Sequence, residues 1–169
     1  MSVVKFSELP DSARVWVFAA ERSFSDTEAN LISTSMDNFM QEWTAHKREL
    51  TTAWDLRYQQ FIFIAVDERM MGASGCSIDS MVRNLGELGK RLNTDLVGAH
   101  LKVFYRDQAS RIQCVDRIEF KRLAQNGMLD EQTIVFNNTV KTIKEIKEGK
   151  WETALKYSWH FEVFGRVLV

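Results

Sequence analysis

The 169-residue sequence is poor in cysteine and proline, with two cysteines and one proline. Cys76 and Cys114 lie far apart, in neither the paired spacing of a zinc site nor the framework of a disulfide-rich protein. This usage favours a reducing compartment, and we expect a cytoplasmic protein. No stretch rich in serine, glycine and proline suggests a linker, so residues 1–169 are expected to form one domain.

The sequence also lacks an excess of charge of either sign. Lysine and arginine number 22, aspartate and glutamate number 23, and the formal net charge is −1. No overall positive field attracts nucleic acid or an anionic membrane, so neither is an expected partner. The longest apolar run, residues 61–66, is too short to cross a bilayer as a helix. The N-terminus has acidic residues and Pro10 where a secretory signal needs a basic start and a longer apolar core.

Residue periodicity within 1–108 predicts a ferredoxin-like layer of order βαββαβ. Two strands without a polar face are expected in the centre of the sheet, and a strand with alternating polarity is expected beside them. Two amphipathic helices, the first opened by a capping box of Ser25 and Glu28, connect the strands. The predicted elements are strand 14–20, helix 25–43, strand 52–58, strand 60–66, helix 78–92 and strand 101–105.

Residues 109–169 repeat the strand and capped-helix patterns on a smaller scale, which predicts a C-terminal α+β appendage packed on that layer. Two helices can cover only one face of the sheet, yet the central strands are apolar on both faces. We expect the appendage to cover the second face, with Trp151 and Trp159 as anchors. One face is predicted to carry Val15, Val17, Ile62 and Ile64, and the other Trp16, Phe18, Phe61 and Phe63.

Residues 72–80 read GASGCSIDS and lie where a strand leads into a helix. The stretch has no lysine, so it does not match the phosphate loop of P-loop nucleotidases, and no ATPase of that type is predicted. The N–H groups of Gly75, Cys76 and Ser77 at a helix start could bind a small anion. Alternatively, Cys76 could act as a nucleophile with His46 or His160 as its base. The structural alternative is a helix start with Ser77 as N-cap.

A sheet of this strand order also invites comparison with RNA-recognition domains, whose central strands stack aromatic side chains on bases. Trp16, Phe61 and Phe63 occupy the corresponding positions. The basic residue and the glycines of that motif are missing, which argues against RNA. The three histidines show no ligand spacing, so we expect neither a metal nor a cofactor.

Several blocks spread over nearly the whole sequence resemble a family of short bacterial proteins labelled "ABC transporter ATPase". The blocks are FSELPDSARVWVF, EWTAH, FIFIAVD followed by GCSIDS, TIVFNN and SWH. The resemblance implies no reaction and no ligand. Residues 112–154 alone are similar to GYF-type peptide-binding modules, which implies that the appendage could bind a peptide.

These patterns together predict a non-enzymatic binding module for a protein partner or a small anion. One alternative is a thiol-dependent enzyme that uses Cys76 with a histidine base. The other alternative is RNA binding through the face of the sheet. The sequence leaves the oligomeric state open.

Overall fold

The computed structural model describes residues 2–46, 50–70 and 72–165. This part of the chain contains two four-stranded sheets and five helices. The strands are β1 (Ser2–Val3), β2 (Arg14–Ala19), β3 (Thr51–Arg57), β4 (Phe61–Asp67), β5 (Val103–Arg106), β6 (Ile112–Val115), β7 (Ile134–Phe136) and β8 (Glu152–Ala154). The helices are α1 (Asp26–His46), α2 (Gly75–Arg91), α3 (Arg117–Gln125), α4 (Ile143–Lys147) and α5 (Trp159–Phe164).

The first sheet has the strand order β1-β3-β4-β2. Both β2 and β3 run antiparallel to β4, and β1 runs parallel to β3. Helices α1 and α2 cover one face of this sheet, where Ile62, Ile64 and Val66 pack among their apolar residues. Adjacent β2, β4 and β3 with two helices on one face form a ferredoxin-like arrangement. The predicted α+β class with a ferredoxin-like layer is therefore confirmed.

The helix starts agree with the sequence patterns. Ser25 and Glu28 form the predicted capping box, since each backbone N–H donates to the other residue's side-chain oxygen at 2.8 and 3.2 Å. Thr142 and Glu145 form a second capping box at the start of α4. These reciprocal bonds satisfy N–H groups that the first helical turn cannot satisfy itself. The buried side of α1 consists of the predicted apolar stripe: Ile32, Met36, Phe39, Met40 and Trp43.

Strand β5 completes a second sheet rather than the first. In the ferredoxin-like order the fourth strand pairs with the first, but β5 pairs with β6 and β7. The order of this second sheet is β6-β5-β7-β8, with antiparallel neighbours. Here β5 is covered on both faces, since Phe104 packs towards the first sheet and Val103 and Tyr105 pack beneath α3 and α5. The outer edge of β2 is consequently left without its fourth strand.

The second sheet covers the face of the first sheet that α1 and α2 leave open. Phe61 and Phe63 are fully buried there. Trp151 packs edge-on against both rings, with centroid distances of 5.2 and 4.7 Å. Trp151 is therefore an anchor, as expected. Trp159 is not, because it packs on the far face of the second sheet, beside the core that includes Phe120.

The register between strands corrects the predicted division of side chains between the two faces. Trp16 is paired with Ile64, and directly opposed residues point to the same face. Side chains alternate within each strand as predicted, but the two strands are combined differently, so that Trp16 and Phe18, and not Val15 and Val17, share a face with Ile62 and Ile64. Alternation within a strand does not determine the register between strands. The helix-covered face carries Trp16, Phe18, Ile62 and Ile64, and the face towards the second sheet carries Val15, Val17, Phe61 and Phe63.

The tight turn between β3 and β4 ties the two sheets together. Tyr58 and Gln59 both have positive φ angles, 53° and 48°, which side-chain-bearing residues adopt at a cost. The Tyr58 ring stacks on Trp151 at 5.9 Å, and its hydroxyl donates to the Glu152 carboxylate at 2.6 Å. Arg106 donates to the same carboxylate at 2.7 Å. Contacts with the second sheet thus offset the strain in the turn.

Replacement of Trp151 by alanine should lower the free energy of unfolding by about 3–5 kcal/mol, because it opens a cavity between the sheets. Trp151→Phe should cost less, since part of the aromatic volume remains. The matched control is Tyr157→Ala, whose side chain is exposed, with an expected change within about 0.5 kcal/mol. Urea unfolding followed by circular dichroism measures all three. Equal losses for Trp151→Ala and Tyr157→Ala would contradict the anchoring role.

Candidate functional site

The GASGCSIDS stretch forms the start of α2, and Ser74 is its N-cap. The Ser74 Oγ accepts the Ser77 N–H at 3.3 Å, and the two hydroxyls lie 2.9 Å apart. The prediction of Ser77 as N-cap is therefore wrong, because α2 already begins at Gly75 and Ser77 is buried within its first turn. The cap also occupies one of the three N–H groups predicted to bind an anion, which leaves those of Gly75 and Cys76.

The two cysteines differ in environment. Cys76 is exposed at the start of α2. Cys114 is partly buried in β6, and this burial raises the pKa of its thiol to about 12. Because the thiolate is the reactive form, Cys76 is the accessible nucleophile of the two.

His160 cannot serve as a base for Cys76. It is 1% exposed, and its Nδ1 lies 2.5 Å from the Oγ of Ser158, the N-cap of α5. Its ring lies 6.2 Å from Phe120, on the far face of the second sheet. Cys76 belongs to the helix layer on the far face of the first sheet. Two sheets separate the predicted nucleophile from this predicted base, so their pairing is wrong.

His46 is the last residue of α1, but its side chain lies outside the described part of the structure. Its pairing with Cys76 stays a prediction. Within residues 2–46, 50–70 and 72–165, no group of three or more histidine, cysteine, aspartate or glutamate side chains is placed to hold a metal ion. The helices of the same ranges include none with the length and apolar character of a membrane span.

A cleft of about 390 Å³ opens between α1 and α2 and includes Cys76. The two helices run antiparallel, because the Trp43 Nε1–H donates to the carbonyl of Ser77 at one end and Arg91 donates to Ser35 at the other. The Phe39 and Trp43 rings are stacked at 5.4 Å. The lining residues are Phe39, Glu42, Trp43, Cys76, Ser77, Ser80, Arg83, Asn84 and Glu87.

The charges of this α1–α2 cleft do not suit a small anion. The lining contains two carboxylates, Glu42 and Glu87, and one guanidinium, Arg83. Among the described residues, none of these three groups forms an ion pair within 4 Å. The carboxylates would repel an anion bound at the start of α2, although the first turn itself has no acidic residue.

A second concave surface lies along the outer edge of β2. This groove, about 590 Å³ in volume, runs between β2 and the segment 138–142. Trp16, Val17 and Phe18 are only partly buried there. Sequence reasoning overlooked the groove, because an unpaired edge depends on where the fourth strand pairs and that pairing is a long-range property.

The predicted RNA-binding face is not open. Phe61 and Phe63 are fully buried beneath the second sheet, and Trp16 points to the opposite face, towards α1 and α2. Bases stack only on rings that solvent can reach. The alternative that these three side chains form a stacking platform is therefore wrong.

Alkylation should distinguish the two thiols. At about pH 8, iodoacetamide should modify Cys76 in the folded protein and leave Cys114 largely unmodified, because Cys114 is shielded and its thiol stays protonated. Both should react in concentrated urea. Mass spectrometry of tryptic peptides measures each rate, and Cys76→Ser is the matched control. Rapid modification of Cys114 in the folded protein would contradict the described burial.

Acid should destabilise the protein through His160. Burial lowers the pKa of this imidazole from 6.5 to about 4, and the neighbouring Arg117 charge acts in the same direction. The folded state thus disfavours the protonated ring. The free energy of unfolding is therefore highest above about pH 6.5, where the ring is neutral in both states, and it decreases as the pH falls towards 4. The expected loss is about 3 kcal/mol.

The measurement is urea unfolding at a series of pH values for the parent protein, His160→Asn and His100→Asn. In His160→Asn the free energy of unfolding should depend less on pH between about 6.5 and 4, whatever the effect of the substitution at neutral pH. His100 is exposed, so His100→Asn should show the same loss of unfolding free energy in acid as the parent protein. If His160→Asn lost as much unfolding free energy in acid as the parent protein, other groups would be the cause of that loss.

No protein-family model matches this chain, and comparisons with curated proteins and with solved structures find no match either. The resemblance to the short bacterial family and the similarity of residues 112–154 to GYF-type modules therefore stay predictions.

Proposed function

We propose that the protein is a non-enzymatic binding module that takes up an extended segment of a partner protein along the outer edge of β2. The observation that carries the proposal is the strand position left open beside β2 when β5 joins the second sheet. Addition of a strand to an exposed sheet edge is a common mode of peptide recognition, in which backbone hydrogen bonds supply affinity.

Successive backbone N–H groups of β2 point alternately towards β4 and towards the outer side of the sheet. The N–H of Ala20 donates inward to Gln60, at the end of the pairing with β4. The N–H of Val15 points the other way and donates to the Lys141 carbonyl at 2.8 Å. Val17, two residues on, presents its N–H and C=O on this outer side. No described residue pairs with Val17 there, so it offers an incoming strand one donor and one acceptor.

The chain itself already shows how a strand docks at this edge. Thr142 forms an isolated antiparallel bridge with Arg14, and the Ile143 N–H donates to the Ala13 carbonyl at 3.1 Å. These contacts occupy the beginning of the edge, and the short 3-10 helix of residues 98–101 also lies close to β2. A partner segment would continue alongside Val17 in the groove between β2 and residues 138–142. Exposed edges are normally protected by charge, proline or a covering segment, so an apolar open stretch points to use.

The rim of the groove favours an acidic side chain in the partner. Arg14 lies 3.5 Å from the Glu68 carboxylate and 4.5 Å from the centre of the Trp16 ring. Lys141 is exposed, and its ammonium group forms no ion pair among the described residues. The rim thus holds two positive charges and one negative charge. The proposed partner is an extended segment with alternating apolar residues and an aspartate or glutamate beside Lys141.

Selection from a displayed library of random linear peptides tests the proposal. The enriched peptides should share alternating apolar positions and an acidic residue. Val17→Pro should weaken their binding by about tenfold or more, because proline removes the outward N–H without touching the pairing with β4. Val17→Thr is the matched control, since it keeps both the N–H and a β-branched side chain. Lys141→Glu should weaken binding through repulsion of the acidic residue.

Thermal unfolding of each variant checks that the fold is retained, and fluorescence polarisation of labelled peptides gives the affinities. Equal binding by the parent and Val17→Pro would overturn strand addition at this edge. A concentration-dependent dimer that Val17→Pro abolishes, with no peptide enriched, would also overturn the proposal, because the edge would then pair with a second copy of the chain. Analytical ultracentrifugation distinguishes that outcome.

A further inference from the structure

We infer that the α1–α2 cleft is a second binding site, for a small molecule that carries an amine on an apolar, ring-sized body. The site lies in the helix layer and is separate from the β2 edge, so it does not depend on peptide binding. Its volume of about 390 Å³ falls within the range of about 300–1,000 Å³ that small-molecule pockets occupy.

One wall of the cleft is apolar and held in place. Phe39 and Trp43 are stacked with an interplanar angle of 24°, and each is 6% exposed. The Trp43 Nε1–H donates to the Ser77 carbonyl at 3.1 Å, which fixes the indole against the start of α2. A preformed aromatic wall binds an apolar body without first having to be ordered, and a cation over the face of a ring gains electrostatic attraction.

The charged groups around the cleft are left available for a ligand. Arg83 and Glu87 are four residues apart on α2, a spacing that permits an ion pair, yet no such pair forms. Glu42 on α1 is likewise unpaired among the described residues. The described lining therefore has one net negative charge, which attracts an ammonium group and repels a carboxylate.

Asn84 adds a neutral acceptor to the same wall. Its Oδ1 is buried and has no hydrogen-bond donor among the described residues. A buried acceptor without a donor is destabilising, so rotation of the Asn84 amide that lets a ligand N–H reach the oxygen removes that cost. The carboxylates and the amide oxygen are all acceptors, and an ammonium group has only donors.

Two probes of matched shape and opposite charge test the inference, 2-phenylethylamine and 3-phenylpropionate. Cys76 lines the cleft and is exposed, so a bound probe should slow its alkylation by iodoacetamide. The amine should protect Cys76 in a saturable way, and isothermal titration calorimetry should give the same dissociation constant. The carboxylate should protect it at least about fivefold less well at equal concentration.

Charge variants make the test specific to the cleft. Glu42→Gln and Glu87→Gln should each weaken amine binding by about two- to fivefold, and Arg83→Gln should strengthen it, because a repelling charge is removed. Asp79→Asn is the control, since Asp79 is exposed on α2 but does not line the cleft. Each protection factor is the ratio of alkylation rates with and without probe in the same variant, so changes in thiol reactivity cancel.

Equal protection by the two probes would overturn the inference, because the charges would then play no part. Weaker amine binding in Arg83→Gln would overturn it as well. Protection that is unchanged in both glutamate variants, or lost equally in Asp79→Asn, would show that the amine responds to overall charge and not to this cleft.

Discussion

The burial of β4 on both faces is the constraint on which the rest of the structure depends. Residues 61–66 are all fully buried, with side chains pointing alternately towards the helices and towards the second sheet. A strand that is apolar on both sides is stable only between two covering layers. The helices supply one cover, and the second sheet supplies the other. The layers thus run from α1 and α2, through two sheets, to α3 and α5.

This layering determines where ligands can reach the protein. The faces of the first sheet are occupied, so Phe61 and Phe63, which resemble part of a nucleic-acid platform in the sequence, instead form the core between the sheets. The same layering places Cys76 and His160 in opposite outer layers. Among the open concave surfaces of the described residues are the groove at the β2 edge and the α1–α2 cleft.

Local features of the fold could be predicted from the sequence, and relationships between distant segments could not. The capping boxes and the apolar stripe of α1 follow from spacing within a few residues. The start of α2 was misplaced by three residues because Ser74 and Ser77 are both good caps, and only the hydrogen-bond geometry distinguishes them. The phase between β2 and β4 and the pairing of β5 depend on long-range contacts. Of the candidate site, exposed Cys76 was predictable, but neither its cleft nor the open edge was.

The alternation of the β2 backbone has a consequence for hydrogen exchange. The N–H groups of Trp16 and Phe18 point towards β4, so they exchange only when β2 separates from the centre of the sheet. The N–H of Val17, between them, points to the outer side of β2, where no described backbone group accepts it. Neighbouring amides in one strand would then exchange at very different rates. A segment bound along the edge would slow the fast amide and leave the slow ones nearly unchanged.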